Sequence, residues 1–480
     1  MLAGPDLQSP VRLQRQGRPG MGAALSILAF LGFAVAIPLV LRSLSEASYS
    51  DTDFLIRYSP LLYAAFRISA LLWKNRVRPV AGVFWMFVYI CLGVVPLAQL
   101  STGASTILAF QVDDATLHAT TAITLLGCIS FDLAYHLRLF QKLGGPPRVR
   151  ALRSIDSLRI FSAVALLGGL VYVAQVGGIG VFFASRQEAS QALDQVSPDS
   201  GQAARAIISA FGSVTCLVAL IFYIHVIRTV RSSLNLLDVA LVAGLIALNV
   251  VVNNPISNSR YWTLAVLFGL VMPFIGSRKS LFNVAIISGV VAAIFLFPLS
   301  DITRRAAGAG ALLQADSVWT MIATKDYDQF TMLANTVGFT RDEGLTWGYQ
   351  LLGAVLFWVP RVIWPTKPLD SGVEVGQWMS SANVNLSSPL WAEAWINFGV
   401  AGVVVVFALL GLLARKLDAG FRPGALSAGS VGYLGVSIFS GYMFILLRGS
   451  LLQSMGRLLI LALAIAFLSV TLERKPGDST

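Results

Sequence analysis

Uninterrupted apolar runs of about twenty residues, the length that crosses a bilayer core as one α-helix, recur through most of this chain. Apolar residues form 56% of its 480 residues and charged residues 12%, which lies outside the range of soluble globular proteins. A soluble multidomain protein is a poor alternative, because it could not bury so many runs of this length. The sequence therefore predicts an all-α polytopic membrane protein.

Apolar windows predict about twelve transmembrane helices. They cover residues 22–42, 54–73, 80–100, 116–136, 158–178, 205–227, 235–252, 261–277, 280–299, 391–413, 429–447 and 455–472. The second window is the least regular, because Arg57, Pro60 and Arg67 interrupt it. The first follows three arginines, as in a signal peptide, but it is long enough to span and no cleavage site follows, so we expect a retained helix.

Lysine and arginine are concentrated in alternate connections between these windows and at both termini. The positive-inside rule places that set in the cytoplasm, so both termini are expected to be cytoplasmic. The net charge of +11 is explained by these loops and does not imply a nucleic acid partner. The resulting regions are a cytoplasmic tail (1–21), nine spans (22–299), an extracytoplasmic loop (300–390), three spans (391–472) and a second cytoplasmic tail (473–480).

The long loop contains a stiff cationic block at residues 358–368, which holds two tryptophans, two cations and three prolines. Because proline fixes its own φ and restricts the residue before it, Arg361 and Lys367 are expected on a constrained backbone. Residues 350–359 are apolar but too short to span, which predicts a short interfacial or re-entrant helix leading into Pro360. Such a block beside a membrane suits capture of an anionic or sugar-bearing lipid.

Four arginines fall on the side that the positive-inside rule leaves poor in cations: Arg186, Arg260, Arg361 and Arg448. Guanidinium groups bind phosphate through two parallel hydrogen bonds and stay charged at any relevant pH. We hypothesise that the set contacts one anionic lipid together. The alternative for each is an interfacial anchor, since long cationic side chains reach the headgroup level alongside Trp and Tyr.

Two carboxylates are candidate general bases. Glu393 begins the tenth span, where it either stabilises the helix dipole or, at membrane depth in a cleft, deprotonates an acceptor hydroxyl. Asp328 either takes the same role or only solvates the loop. The long loop has no histidine, each cysteine falls in an apolar span, and neither zinc-ligand spacing nor an Asp-x-Asp pair occurs. We therefore expect a metal-free mechanism without a cofactor.

Several motifs occur in an order that resembles the bacterial oligosaccharide repeat-unit polymerases, the O-antigen polymerases of the Wzy class. They are Tyr327-Asp328, Gly348, Val359-Pro360-Arg361-x-x-Trp364-Pro365-x-Lys367-Pro368 and Glu393-x-x-x-Asn397-Phe398-Gly399, with Phe183-x-x-Arg186, Ser259-Arg260 and Arg448 as further similar elements. The resemblance implies a glycosyltransferase of the bacterial inner membrane with a large periplasmic loop. It would transfer a growing oligosaccharide from polyprenyl pyrophosphate onto the non-reducing end of a fresh lipid-linked repeat. Membrane lipids and a chain-length regulator protein are the further partners it implies.

The resemblance also assigns roles to residues. Arg361, together with Arg186, Arg260 and Arg448, would hold the pyrophosphate and stabilise its charge as it leaves. Glu393 or Asp328 would be the base, and Trp364, Lys367 and Asn397 would complete the substrate site. Arg186 departs from the pattern of some members, in which a glycine follows that arginine at Arg-x10-Gly spacing, because its first following glycine is Gly201.

Two other functions compete with polymerisation. An O-antigen ligase is similar in architecture but is expected to use a histidine in its periplasmic loop, and the loop here has none. A transporter or flippase of lipid-linked oligosaccharide would show similarity between its two halves and charges deep in its spans. The sequence shows no such repeat, and Asp132 is its main candidate for a charge within a span.

Overall fold

The computed structural model describes residues 19–44, 49–74, 76–104, 110, 112–137, 150–183, 202–229, 235–275, 278–296, 298, 317–324, 327–421 and 431–471. Its first half contains eight of the ten helices that precede the long loop. These are α1 (Pro19–Phe30, continuing as Leu31–Ala36 and Ile37–Ser43), α2 (Asp51–Trp73), α3 (Pro79–Tyr89, continuing as Ile90–Val94 and Val95–Thr102), α4 (Asp114–His136), α5 (Ile155–Gln175), α6 (Ile179–Phe182), α7 (Gln202–Thr229) and α8 (Leu236–Val252).

The second half supplies the remaining helices and the long loop. These are α9 (Arg260–Ile275), α10 (Lys279–Val291, continuing as Ala292–Leu296), α11 (Val318–Ile322), α12 (Gln329–Asp342), α13 (Tyr349–Val355), α14 (Ser371–Trp378), α15 (Leu390–Gly420), α16 (Val431–Arg448) and α17 (Leu451–Leu468). Eight helices among the described residues are long and apolar enough to cross a membrane. The protein is therefore a helical membrane protein, as its composition predicts.

A helix lies over each of the twelve windows that the sequence predicts as spans. Four of them fall short of the length or apolarity of a full span: Asp51–Trp73, Leu236–Val252, Arg260–Ile275 and Gly432–Arg448. Helix α2 carries the charges that made its window irregular, and the other three have 17 residues or fewer in the range measured. The count of twelve spans thus remains a prediction.

A short antiparallel ribbon was not predicted by the sequence. Strand β1 (Arg150–Leu152) pairs with β2 (Ser469–Thr471), and Ala151 is opposite Val470. The twelfth predicted window runs to residue 472, but α17 ends at Leu468 and the chain becomes extended. Pairing three residues with three satisfies backbone groups locally and leaves the helical architecture unchanged.

One end of the helix bundle is fixed by Asp418, near the C-terminus of α15. Its buried carboxylate accepts hydrogen bonds from the backbone N–H groups of Val80 at 2.9 Å and Ala81 at 3.1 Å, at the start of α3. The Tyr135 hydroxyl, at the end of α4, donates to the same carboxylate at 2.9 Å. The opposite end carries residues 327–390 and the first turns of α15 and α17, and we call it the loop end.

The loop end is folded, with four short helices (α11 to α14) and a small core of its own. Met332, Val375, Met379, Leu386 and Ile396 are all buried in that core. Arg341 of α12 donates to the Thr116 hydroxyl of α4 at 2.7 Å, which ties the loop to the bundle. The predicted short helix within residues 350–359 is present as α13.

Helix α15 bends where it leaves the bundle. Its two non-helical residues are Phe398 and Gly399, and Gly399 has φ 57° and ψ −135°, a conformation open to glycine alone. Asn397 holds the bend from both sides, because its amide donates to the Glu393 carbonyl at 2.8 Å and its oxygen accepts from Leu351 N–H of α13 at 3.0 Å. The Glu393-x-x-x-Asn397-Phe398-Gly399 motif therefore joins α13 to the bend.

Candidate functional site

The joint between α16 and α17, residues 448–451, brings three carboxylates together at the loop end. Arg448 faces Asp328, Ser450 contacts Asp370, and the Leu451 backbone contacts Glu393. These acids come from the start of α12, the segment before α14 and the first turn of α15. The four-residue joint thus organises groups that lie far apart in the sequence.

Arg448 is the cation of this site. Its guanidinium lies 3.9 Å from the Asp328 carboxylate and 4.3 Å from the centre of the Tyr261 ring. Asp328 is buried, and it also accepts hydrogen bonds at 2.8 Å from the Ser387 hydroxyl and from the Gln329 amide. Asp328 is therefore placed as a counter-ion to Arg448, and its carboxylate is already occupied by donors.

Two further arginines lie along α9 and α17. Arg260 is partly buried and directly precedes Tyr261, the residue that Arg448 covers. Arg457 of α17 lies 4.5 Å from the centre of the Trp262 ring. Sequence reasoning missed Arg457, although a single arginine inside the twelfth apolar window is a signal for a functional residue.

Glu393 is buried at the N-terminus of α17. Its carboxylate accepts hydrogen bonds from the Ser371 hydroxyl at 3.0 Å and from Leu451 N–H at 3.2 Å. Leu451 is the first residue of α17, so the carboxylate faces the positive end of that helix dipole. This environment accommodates a carboxylate that can be ionised while it is shielded from bulk water.

Asp370 is a second buried acid beside it, and sequence reasoning missed it. It caps α14 by accepting from Gly372 N–H at 3.0 Å, and the Ser450 hydroxyl donates to its other oxygen. Burial raises the pKa of the Asp370 carboxyl above its ordinary value, and burial also raises the pKa of Glu374, which accepts from the Gln350 amide. From sequence alone, Asp370 resembles an ordinary helix cap and nothing more.

Arg361 and Lys367 are held by their own segment. The Lys367 ammonium is buried and donates to the carbonyls of Phe357 at 2.6 Å and Val359 at 3.1 Å. The Arg361 guanidinium, on an exposed residue, donates to the carbonyls of Lys367 and, at 3.0 Å, Pro368. Burial, and then the neighbouring Arg361, lower the pKa of Lys367.

The remaining predicted residues are distributed as follows. Trp364 is partly buried, donates to the Thr366 hydroxyl at 3.2 Å and meets the Tyr349 ring edge to face. Asn397 is committed to the bend in α15. Arg186 lies outside the described residues. The structure therefore brings Asp328, Glu393 and Arg448 to one joint, with Arg260 next to the ring that Arg448 covers.

Within the described part of the chain, no group of three His, Cys, Asp or Glu side chains is arranged to hold a metal ion. The chain matches no family model, no curated protein and no solved structure. Its function is therefore argued from the chemistry of the joint. A guanidinium held loosely by one carboxylate can accept a phosphate, and a shielded second carboxylate beside it can accept a proton.

Proposed function

We propose that the protein is a membrane glycan polymerase. It transfers a growing oligosaccharide from polyprenyl pyrophosphate to the non-reducing end of a lipid-linked repeat unit of a surface polysaccharide such as O-antigen. The observation that carries the proposal is the joint at residues 448–451, where Arg448 meets Asp328 and the backbone beside it meets Glu393. The motif order that resembles the Wzy class supports the same conclusion.

The proposed reaction forms one bond and breaks one bond. Glu393 takes the proton of the acceptor hydroxyl, whose oxygen bonds to the anomeric carbon of the donor sugar. The bond from that carbon to the pyrophosphate oxygen breaks, and polyprenyl pyrophosphate leaves with the negative charge. Arg448, with Arg260 beside it, stabilises that charge, and Asp328 holds the guanidinium until the pyrophosphate replaces it.

The proposed setting is the periplasmic face of the bacterial inner membrane. It rests on twelve spans with both termini in the cytoplasm, as the charge bias of the loops predicts. The grouping of the starts and ends of α3, α4 and α15 around Asp418 supports an alternating arrangement of these helices. A protein that sets chain length is the additional partner we propose.

Reconstitution in proteoliposomes with purified lipid-linked repeats as the only sugar substrate tests the proposal. A ladder of products that differ by one repeat is the expected result. Product formed only after a second, non-repeat acceptor lipid is added would indicate a ligase. Movement of the lipid-linked repeat across the bilayer without any new glycosidic bond would indicate a transporter.

A further inference from the structure

Residues 356–368 expose apolar side chains to an unusual degree. Val362 is 93% exposed, Ile363 75% and Trp358 54%. Large apolar side chains left bare in one segment mark a binding surface for a protein or a membrane. The position of this segment relative to the spans decides between the two.

One attachment of the segment fixes its depth. The Phe357 ring packs on Gly456 of α17, where an added Cβ would lie 3.6 Å from the ring. Gly456 is five residues beyond Leu451, the first residue of α17, so the contact lies about 8 Å along that helix at 1.5 Å per residue. Since α17 is apolar and long enough to cross the membrane, Phe357 lies beside the span instead of above it.

A second attachment agrees with the first. Gly348, just before α13, lies so close to the Phe398 ring that an added Cβ would be 2.6 Å from it. From Phe398 to Asp418, at the far end of α15, the helix rises about 30 Å, which equals the thickness of the hydrocarbon core. Helix α13 therefore begins at the boundary of the bilayer, and the chain after it descends.

The segment also satisfies its own polar groups, as irregular backbone at membrane depth must. Lys367 donates to the carbonyls of Phe357 and Val359, and Arg361 donates to those of Lys367 and Pro368. Its prolines have no N–H to satisfy. The N–H groups of residues 363 and 364 both donate to the Pro360 carbonyl at 3.0 Å.

We propose that residues 356–368 insert into the lipid leaflet at the loop end, with Val362 and Ile363 among the acyl chains. In this arrangement Lys367 and Arg361 allow the backbone to enter the bilayer by occupying its carbonyls. Trp358 and Trp364 lie at the headgroup level that aromatic side chains prefer. The partner of this surface is bilayer lipid, and the inference is independent of the proposed glycan chemistry.

A fluorescent label at residue 363 tests the insertion in the full-length protein. The native cysteines are buried, so Ile363→Cys can be labelled selectively with an NBD maleimide after reconstitution in phosphatidylethanolamine–phosphatidylglycerol vesicles. Ala382→Cys is the matched control, because it is exposed in a polar turn beside Ser381 and Asn383. Lipids brominated on the acyl chain are the quencher.

The expected result is at least twofold stronger quenching of the label at 363 than of the label at 382. Equal quenching at the two positions would overturn the proposal. A label at 363 that is shielded from both brominated lipid and aqueous iodide would also overturn it, because that result would indicate a protein partner. Both substituted positions are exposed, so neither change disturbs the core.

Discussion

The Arg448 guanidinium faces the Asp328 carboxylate at 3.9 Å, from the opposite end of the long loop. That separation is longer than the 2.7–2.9 Å of a charge-assisted hydrogen bond, so the pair is loose. Each partner has a second contact, Arg448 with the Tyr261 ring and Asp328 with Ser387. The guanidinium is therefore held in place while its hydrogen-bonding fork remains able to engage a phosphate.

Arg448→Lys tests this interpretation, because lysine keeps the positive charge and loses the planar fork. We expect the rate of glycan elongation to fall about 100-fold, the scale of losing one donor to a developing negative charge. Initial rates of ladder formation in proteoliposomes measure the effect. Arg42→Lys, in an exposed pair with Asp51, is the matched control and should keep the parental rate. An unchanged rate in Arg448→Lys would remove Arg448 from the proposed site.

Glu393→Gln separates proton transfer from folding. Glutamine keeps the size of the side chain and an oxygen for Leu451 N–H, so the protein is expected to fold and to bind lipid-linked repeats. Loss of a general base lowers the elongation rate by about 10²- to 10⁴-fold. Glu343→Gln, an exposed carboxylate after α12, serves as the control. Elongation within twofold of the parental rate would assign Glu393 a purely structural role.

The sequence predicted the helical membrane architecture because apolar runs of spanning length have few other folded solutions. It also predicted the short helix α13, since an apolar stretch too short to span and ending at Pro360 has a natural stop. Contacts between distant segments could not be predicted. The pairing of Arg448 with Asp328 and the burial of Asp370 depend on how the loop folds back, which no local pattern specifies.

The stiff block at residues 358–368 shows the same limit from the other direction. Proline content predicted a constrained backbone, and the structure has one. The partners of its cations were not predictable, because carbonyl groups occur at every residue and only the turn geometry selects those of Phe357, Val359 and Pro368. The role of Lys367 and Arg361 toward substrate stays a prediction.

Stability should depend on pH through Asp370. Burial raises the pKa of this carboxyl in the folded state, so between its ordinary value near 4 and the raised value the folded protein holds a proton that the unfolded chain has lost. Stability therefore falls as pH rises through that window, by at most about 1.4 kcal/mol per pH unit for one group. Asp370→Asn, which keeps a good helix cap, should flatten this dependence.

Thermal unfolding in detergent from pH 4 to pH 8 measures the effect. Glu374, whose pKa is raised by burial as well, retains its own contribution in the variant. Asp51→Asn is the control, because that carboxylate is exposed at the start of α2. A dependence on pH as steep in Asp370→Asn as in the parent protein would show that Asp370 does not contribute.

Lys367→Met tests whether this lysine serves the segment or the substrate. Methionine has a similar length but cannot donate to the Phe357 and Val359 carbonyls, each worth about 1.5–3 kcal/mol as a bond from a charged group. We expect the amides of residues 363 and 364 to exchange with solvent at least tenfold faster. The change should appear without lipid-linked substrate, whereas a lysine that only contacts phosphate would leave exchange unaltered. Lys416→Met, at an exposed position of α15, is the control.

Gly399→Ala tests the bend that joins the loop to α15. At φ 57° and ψ −135° a Cβ is strained, and the expected cost is about 1–3 kcal/mol of stability. Relief of that strain straightens the helix and pulls Asn397 from Leu351, so elongation should also fall, because Glu393 lies one turn before Asn397. Gly420→Ala, where an added Cβ meets no atom, controls for the loss of a glycine in the same helix. Equal thermal stability of the two variants would show that the bend needs no glycine.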